Sequence, residues 1–124
     1  MNADSPRILM LSPRQCSPAT SGAKLRELYL ARSLGEWGEL FLAGYADERA
    51  GEPEHADLQF CRQYRYVPKP PAYRPMQVIR GVAGKWPLSI LNYTSAALVD
   101  AAESFARGCN FNLIQLESIH MLRC

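Results

Sequence analysis

Paired cysteines, histidines, long apolar runs and phosphate-binding glycine patterns are scarce or missing in this chain, and each absence removes a class of protein. Cys16, Cys61, Cys109 and Cys124 lie far apart with no Cys-x-x-Cys pair, and only His55 and His120 could join them. Neither a zinc site nor a disulfide framework is signalled, so four free thiols are expected, Cys109 buried, with no metal and no resident cofactor. No stretch reaches the roughly 18 to 20 apolar residues of a membrane span. Met1-Asn2-Ala3-Asp4-Ser5-Pro6 has neither the basic start nor the apolar core of a signal peptide, which makes the cytoplasm the expected compartment. Gly-x-Gly-x-x-Gly is absent, and Gly22-Ala23-Lys24-Leu25 lacks the Gly-Lys-Ser/Thr ending of a P-loop; both gaps argue against a complete nucleotide-binding enzyme. No Ser-His-Asp arrangement is signalled either.

Acidic residues are missing between Asp57 and Asp100, where Arg62, Arg65, Lys69, Arg74, Arg80 and Lys85 are interleaved with Tyr64, Tyr66, Tyr73 and Trp86. That segment carries a positive field. A solvated surface balanced by Glu48, Glu52, Glu54 and Asp57 is the plainer account of it. The functional account is a docking face for an anionic ligand or an anionic membrane surface, which would place the protein peripherally at the inner membrane face. No nucleic-acid partner is expected.

What is present is the pattern of an α/β domain. At 124 residues, 48% of them apolar, the chain can bury one core and is not disordered as a whole. Arg7-Ile8-Leu9-Met10-Leu11-Ser12-Pro13 and Phe111-Asn112-Leu113-Ile114-Gln115-Leu116-Glu117 are near-continuous apolar runs, the mark of strands buried on both faces of a parallel sheet. Between them the order reads βα-β-β-α-β. A strand over Arg7–Leu11 leads to a helix capped by Thr20 or Ser21 and running from Gly22 to about Glu36. With Leu28-Tyr29-Leu30-Ala31 in a row and no clean polar side, this helix is expected to be covered on more than one face. A strand over Glu39–Ala43, a polar and acidic loop over Gly44–Asp57 expected to be disordered, and a short strand over Tyr64–Val67 follow. Pro68 to Pro75 reads as extended, Met76 to Val82 as a helical turn or two. From Thr94 a helix places Leu98, Ala102 and Phe105 on one face and Asp100, Glu103, Ser104 and Arg107 on the other. One Rossmann-like domain spanning 1–124 is the economical reading.

In such sheets the chemistry lies beyond the carboxyl ends of the strands, which singles out Ser12 to Gly22 and Glu117 to His120. The first of these is a long loop bearing Ser17, Thr20 and Ser21, with Gly22 at the helix mouth and Arg26 one turn in. Free N–H groups and the helix dipole make that mouth an anion or hydroxyl site, although Gly22 also reads as a plain turn residue. Glu117 and His120 follow the last strand on the same edge, where a carboxylate and an imidazole can orient or deprotonate a hydroxyl. The plainer account of His120 is a packed histidine beside Met121 and Leu122.

Ile8-Leu9-Met10-Leu11-Ser12-Pro13-Arg14, Ser21-Gly22-Ala23-Lys24-Leu25-Arg26 and Leu30-Ala31-Arg32-Ser33-Leu34 together resemble the start of the GT-B-fold glycosyltransferases of the group 1 type. The stretches Trp86-Pro87-Leu88-Ser89-Ile90, Asn92-Tyr93-Thr94-Ser95 and Asn112-Leu113-Ile114-Gln115-Leu116-Glu117 resemble the same family's passage from a proline-marked bend through a helix to a strand. Ser21 stands where many members have the first glycine of a pair, and Gln115 and Glu117 stand where many have histidine. The resemblance implies the N-terminal, acceptor-side half of a retaining glycosyltransferase that moves a sugar from a nucleotide-sugar to an acceptor hydroxyl. It also implies substrate-binding roles for Ser21, Gly22, Arg26, Glu117 and His120, with no catalytic residue assigned. The family holds its donor with two glutamates separated by seven residues in a second domain, and no two glutamates here have that spacing. The expectation is therefore a truncated half of a GT-B fold, inactive alone and prone to self-association, that meets nucleotide-sugar and acceptor only with its missing C-terminal domain. The alternative is a noncatalytic Rossmann-like binding or interaction domain.

Overall fold

The computed structural model describes residues 5–53, 55–69, 75–85 and 95–118. Its centre is a parallel sheet of four strands: β1 (Arg7–Ser12), β2 (Glu39–Tyr45), β3 (Cys61–Val67) and β4 (Leu113–Leu116), in the spatial order β3-β2-β1-β4. The helices α1 (Gly22–Trp37) and α3 (Ala96–Gly108) flank the sheet, α2 (Pro75–Ala83) lies between β3 and α3 in the chain, and a short 3-10 turn spans His55–Leu58. This is an α/β, Rossmann-like architecture, as the two apolar runs predict.

Strand position explains strand composition. β1 and β2 sit in the middle, and every residue of Ile8–Ser12 and Leu40–Tyr45 is buried. Alternate residues serve opposite faces. Leu9, Leu11, Phe41, Ala43, Tyr45 and Val67 pack with Leu98, Ala101 and Phe105 of α3, while Ile8, Met10, Leu40 and Leu42 pack with Leu28 and Ala31 of α1, Cys16 and Leu58. β3 is an edge strand, and there Arg62, Gln63 and Arg65 are exposed. Charged side chains on an edge discourage pairing with another chain, so part of the basic segment has a structural role.

Side-chain caps start both long helices. The Ser21 side chain, one of the two caps expected for α1, accepts a hydrogen bond from the Lys24 amide, and Ser95 does the same for Leu98 at 3.2 Å. The strands at Glu39 and Cys61 run longer than predicted, because ladder pairing carries Gly44, Tyr45 and Cys61–Gln63 into the sheet regardless of their polarity.

Three expectations need correction. First, α1 is covered on one face only: Lys24, Glu27, Leu28 and Ala31 are buried, whereas Leu25, Tyr29 and Trp37 are exposed. The reason is geometric, since the helix lies on a single sheet face and its apolar excess points away from it. Second, the acidic loop after β2 is tied down. Gln15 donates to the Gly51 carbonyl at 2.9 Å and accepts from the Asp47 amide at 3.2 Å, and Ser17 Oγ donates to Asp57 Oδ2 at 2.8 Å. Third, Cys109 is only partly buried, whereas Cys16 is the thiol enclosed in the core. Cys16, Cys61 and Cys109 are free; Cys124 lies outside the described residues. No helix among the described residues is long and apolar enough to cross a membrane.

Candidate functional site

The chain leaves β1 through α1 toward β2 and β3 on one side, then returns to place β4 on the other side of β1. That reversal makes a topological switch point at the carboxyl ends of β1 and β4, the position where open parallel sheets bind ligands. The two strands are adjacent in register there: Leu11 pairs with Leu116, and the Glu117 amide donates to the Leu11 carbonyl at 3.0 Å. Ser12 and Glu117 are therefore neighbours at the top of the sheet.

Four charged side chains converge here. Glu27, on the buried stripe of α1, is fully enclosed and accepts a hydrogen bond from Ser12 Oγ at 2.8 Å. Arg14, in the loop after β1, brings Nε to 3.2 Å from Glu27 Oε1. One position earlier on the helix, the exposed Arg26 pairs with Glu117, whose side chain is only 3% exposed. Burial pushes the Glu27 carboxyl up, and the negative charge of Glu117 adds to that; the Ser12 hydrogen bond and Arg14 act the other way. A carboxyl held this way exchanges a proton nearer to neutrality than an ordinary glutamate does.

Ser21, Gly22, Arg26 and Glu117 all belong to this edge, but they play different parts. Arg26 and Glu117 meet directly. Ser21 is exposed and occupied as the helix cap; Gly22 is exposed, with open space where a side chain would stand. His120 lies outside the described residues. Glu27 is the side chain that the sequence reading did not single out, while Ser12 and Arg14 lie within the 12–22 loop that it did. A signal existed: Lys24, Glu27, Leu28 and Ala31 have the i, i+3, i+4, i+7 spacing of a covered helical stripe, and two charges on such a stripe must find partners. Lys24 finds Asp47, 2.6 Å away in the loop after β2.

Beyond the ends of β1, β2 and β3, a cleft of about 570 Å³ is lined by residues that include Arg14, Tyr45, Asp47, Arg49 and Lys69. Arg14 thus borders this cleft as well as pairing with Glu27. Among the described residues no cluster of three or more His, Cys, Asp or Glu is arranged to hold a metal ion.

The raised Glu27 carboxyl has a consequence for stability. The folded state binds this proton more tightly than the unfolded chain, so the contribution is fully present below the ordinary glutamate value of 4.5 and is lost as pH rises through the higher folded value. Glu27→Gln removes the titration. Urea unfolding of both proteins from about pH 4 to pH 8 is expected to show a loss of stability with pH in the parent that is smaller in the variant. Parallel curves would mean that Glu27 is an ordinary surface-like carboxylate.

Fold and site together define a Rossmann-like α/β domain with a charged cluster at its topological switch point. Comparison with protein-family models, with curated proteins and with solved structures finds no match to this chain.

Proposed function

We propose that the chain is the acceptor-side domain of a retaining glycosyltransferase, which moves a sugar from a nucleotide-sugar to an acceptor hydroxyl. The observation that carries this reading is the convergence of Ser12, Glu27, Arg26 and Glu117 at the switch point between β1 and β4. A polyhydroxylated ligand needs both donors and acceptors, and paired carboxylates and guanidinium groups supply them in a fixed arrangement. The order of motifs along the chain, from the proline-bearing loop after β1 to the polar tip of β4, supports the same family. In this reading acceptor hydroxyls dock against the 12–22 loop and Glu117. The activated sugar and the stabilisation of its leaving phosphate come from a donor domain carrying the paired glutamates, which these residues lack. Work at the inner membrane face, with the basic segment against anionic lipid, fits the same proposal.

One observation favours an interaction domain instead. Leu25, Tyr29 and Trp37 stand 44, 57 and 62% exposed along α1, more apolar surface than a helix facing only water usually shows. Saturation-transfer NMR with a panel of saccharides and nucleotide-sugars separates the readings. Saccharide binding that Glu117→Ala weakens, without turnover of any nucleotide-sugar, is the expected result. Turnover by residues 1–124 would promote a complete enzyme, and absence of saccharide binding would leave the interaction domain.

A further inference from the structure

Among the described residues, α2 carries an apolar stripe that the core does not receive. Pro75, Val78, Ile79 and Val82 fall at i, i+3, i+4 and i+7, the spacing that lines one helical face. In α3 the same spacing, Leu98, Ala101, Ala102 and Phe105, packs on the sheet. In α2, Ile79 is 62% and Val82 86% exposed, Pro75 is exposed and Val78 half-buried, and neither core cluster includes a described residue of this helix. A helix of nine residues is marginal in water by itself. A surface that covers the stripe would also steady the helix.

Charge decides what that surface is. Arg80 lies across the helix from the stripe and Lys85 follows its end; both are exposed, and neither forms an ion pair among the described residues. Along the chain no acidic residue stands between Asp57 and Asp100. An apolar stripe with cations and no acid is the composition of a helix that lies flat in the headgroup layer of an anionic membrane. There the apolar side chains reach the acyl chains while the cations stay among the phosphates. At nine residues α2 lies on such a surface and does not cross it. The exposed apolar residues of α1 lack this complement, because Glu36 is exposed next to Trp37 and Arg26 is already paired with Glu117.

We propose that α2 is a membrane-docking helix, which sets Ile79 and Val82 into an anionic lipid surface with Arg80 and Lys85 at headgroup level. The proposal rests on the acceptor-side reading only in making this the membrane face which that reading invokes; the docking itself follows from α2.

The test is co-sedimentation of the 124-residue chain with vesicles of phosphatidylcholine alone and of phosphatidylcholine mixed with phosphatidylglycerol. Binding to the mixed vesicles, weakened by salt, is expected. Ile79→Ser combined with Val82→Ser should weaken it about tenfold or more, since two apolar side chains no longer enter the acyl layer. Arg80→Gln should weaken it about fivefold, and Tyr29→Ser, on the exposed face of α1, should leave it unchanged. Circular dichroism on each variant checks that the sheet is intact, and Val82→Ser alone carries the test if the double variant does not fold. Equal binding to both kinds of vesicle, or equal losses in the α2 and Tyr29 variants, overturns the proposal. So does absence of vesicle binding; self-association in sedimentation velocity that the serine variants abolish would then make a second copy of the chain the cover of the stripe. Saccharide binding is read without vesicles, so the two readings fail separately. Vesicle binding without saccharide binding would sink the acceptor-side reading and leave the docking helix standing, and the reverse result would remove the docking helix alone.

Discussion

Leu98→Ala is expected to lower the unfolding free energy by about 3 kcal/mol, the middle of the range for truncating an enclosed leucine. Leu98 is fully buried and, with Ala101 and Phe105, is what α3 inserts against Leu9, Leu11, Phe41 and Tyr45. Truncation removes apolar contact and leaves a cavity between a helix and a sheet that cannot both move to fill it, since β2 is locked between two neighbours. Phe105 and Phe41, with ring centroids 5.5 Å apart, would lose lateral support. Thermal unfolding should fall by roughly 10 °C in a chain of this size. Val82→Ser, at an 86% exposed position of α2, is the control and should change stability by less than about 0.5 kcal/mol. A Leu98 variant as stable as the control would mean that α3 does not seal this face.

Gly38→Ala is expected to cost about 2 kcal/mol for a different reason, steric overlap rather than a void. Gly38 is buried between α1 and β2, and a Cβ there would collide with the carbonyl oxygen of Pro6. Backbone cannot yield as the tip of a side chain can. That same carbonyl accepts the Glu39 amide at 2.8 Å, the bond that starts the β1–β2 ladder with Arg7 opposite Glu39. Displacing it loosens the register that, five pairs later, puts Ser12 opposite Gly44 beside the charged cluster. Amide exchange at Glu39 should speed up together with the drop in urea midpoint. Unchanged exchange would show that Pro6 moves aside without cost.

The two predictions concern positions of very different legibility. Leu98 stands out in the sequence, because its spacing from Ala102 and Phe105 announces an amphipathic helix. Gly38 does not: as a residue between a helix and a strand it looks like a turn, and only the approach of Pro6 shows why a side chain is excluded. The same division runs through the site. Arg26 and Glu117 were legible from topology, since a residue one turn into α1 and the tip of the last strand must share an edge in a parallel sheet. Glu27 was hidden by composition, sitting among leucines on a helix that looked apolar all round. The acidic loop after β2 looked free because its anchors, Gln15, Ser17 and Lys24, are far from it along the chain.

By itself, the sequence determined the fold class, the order of the elements and the cap of α1, because apolar periodicity and local hydrogen bonding act over a few residues. Tertiary structure alone decided which face of α1 is covered, that Arg14 and Ser12 converge on Glu27, and that Lys24 neutralises Asp47. Those outcomes depend on charges brought together across many residues, whose energies are set by burial and distance after the sheet has formed.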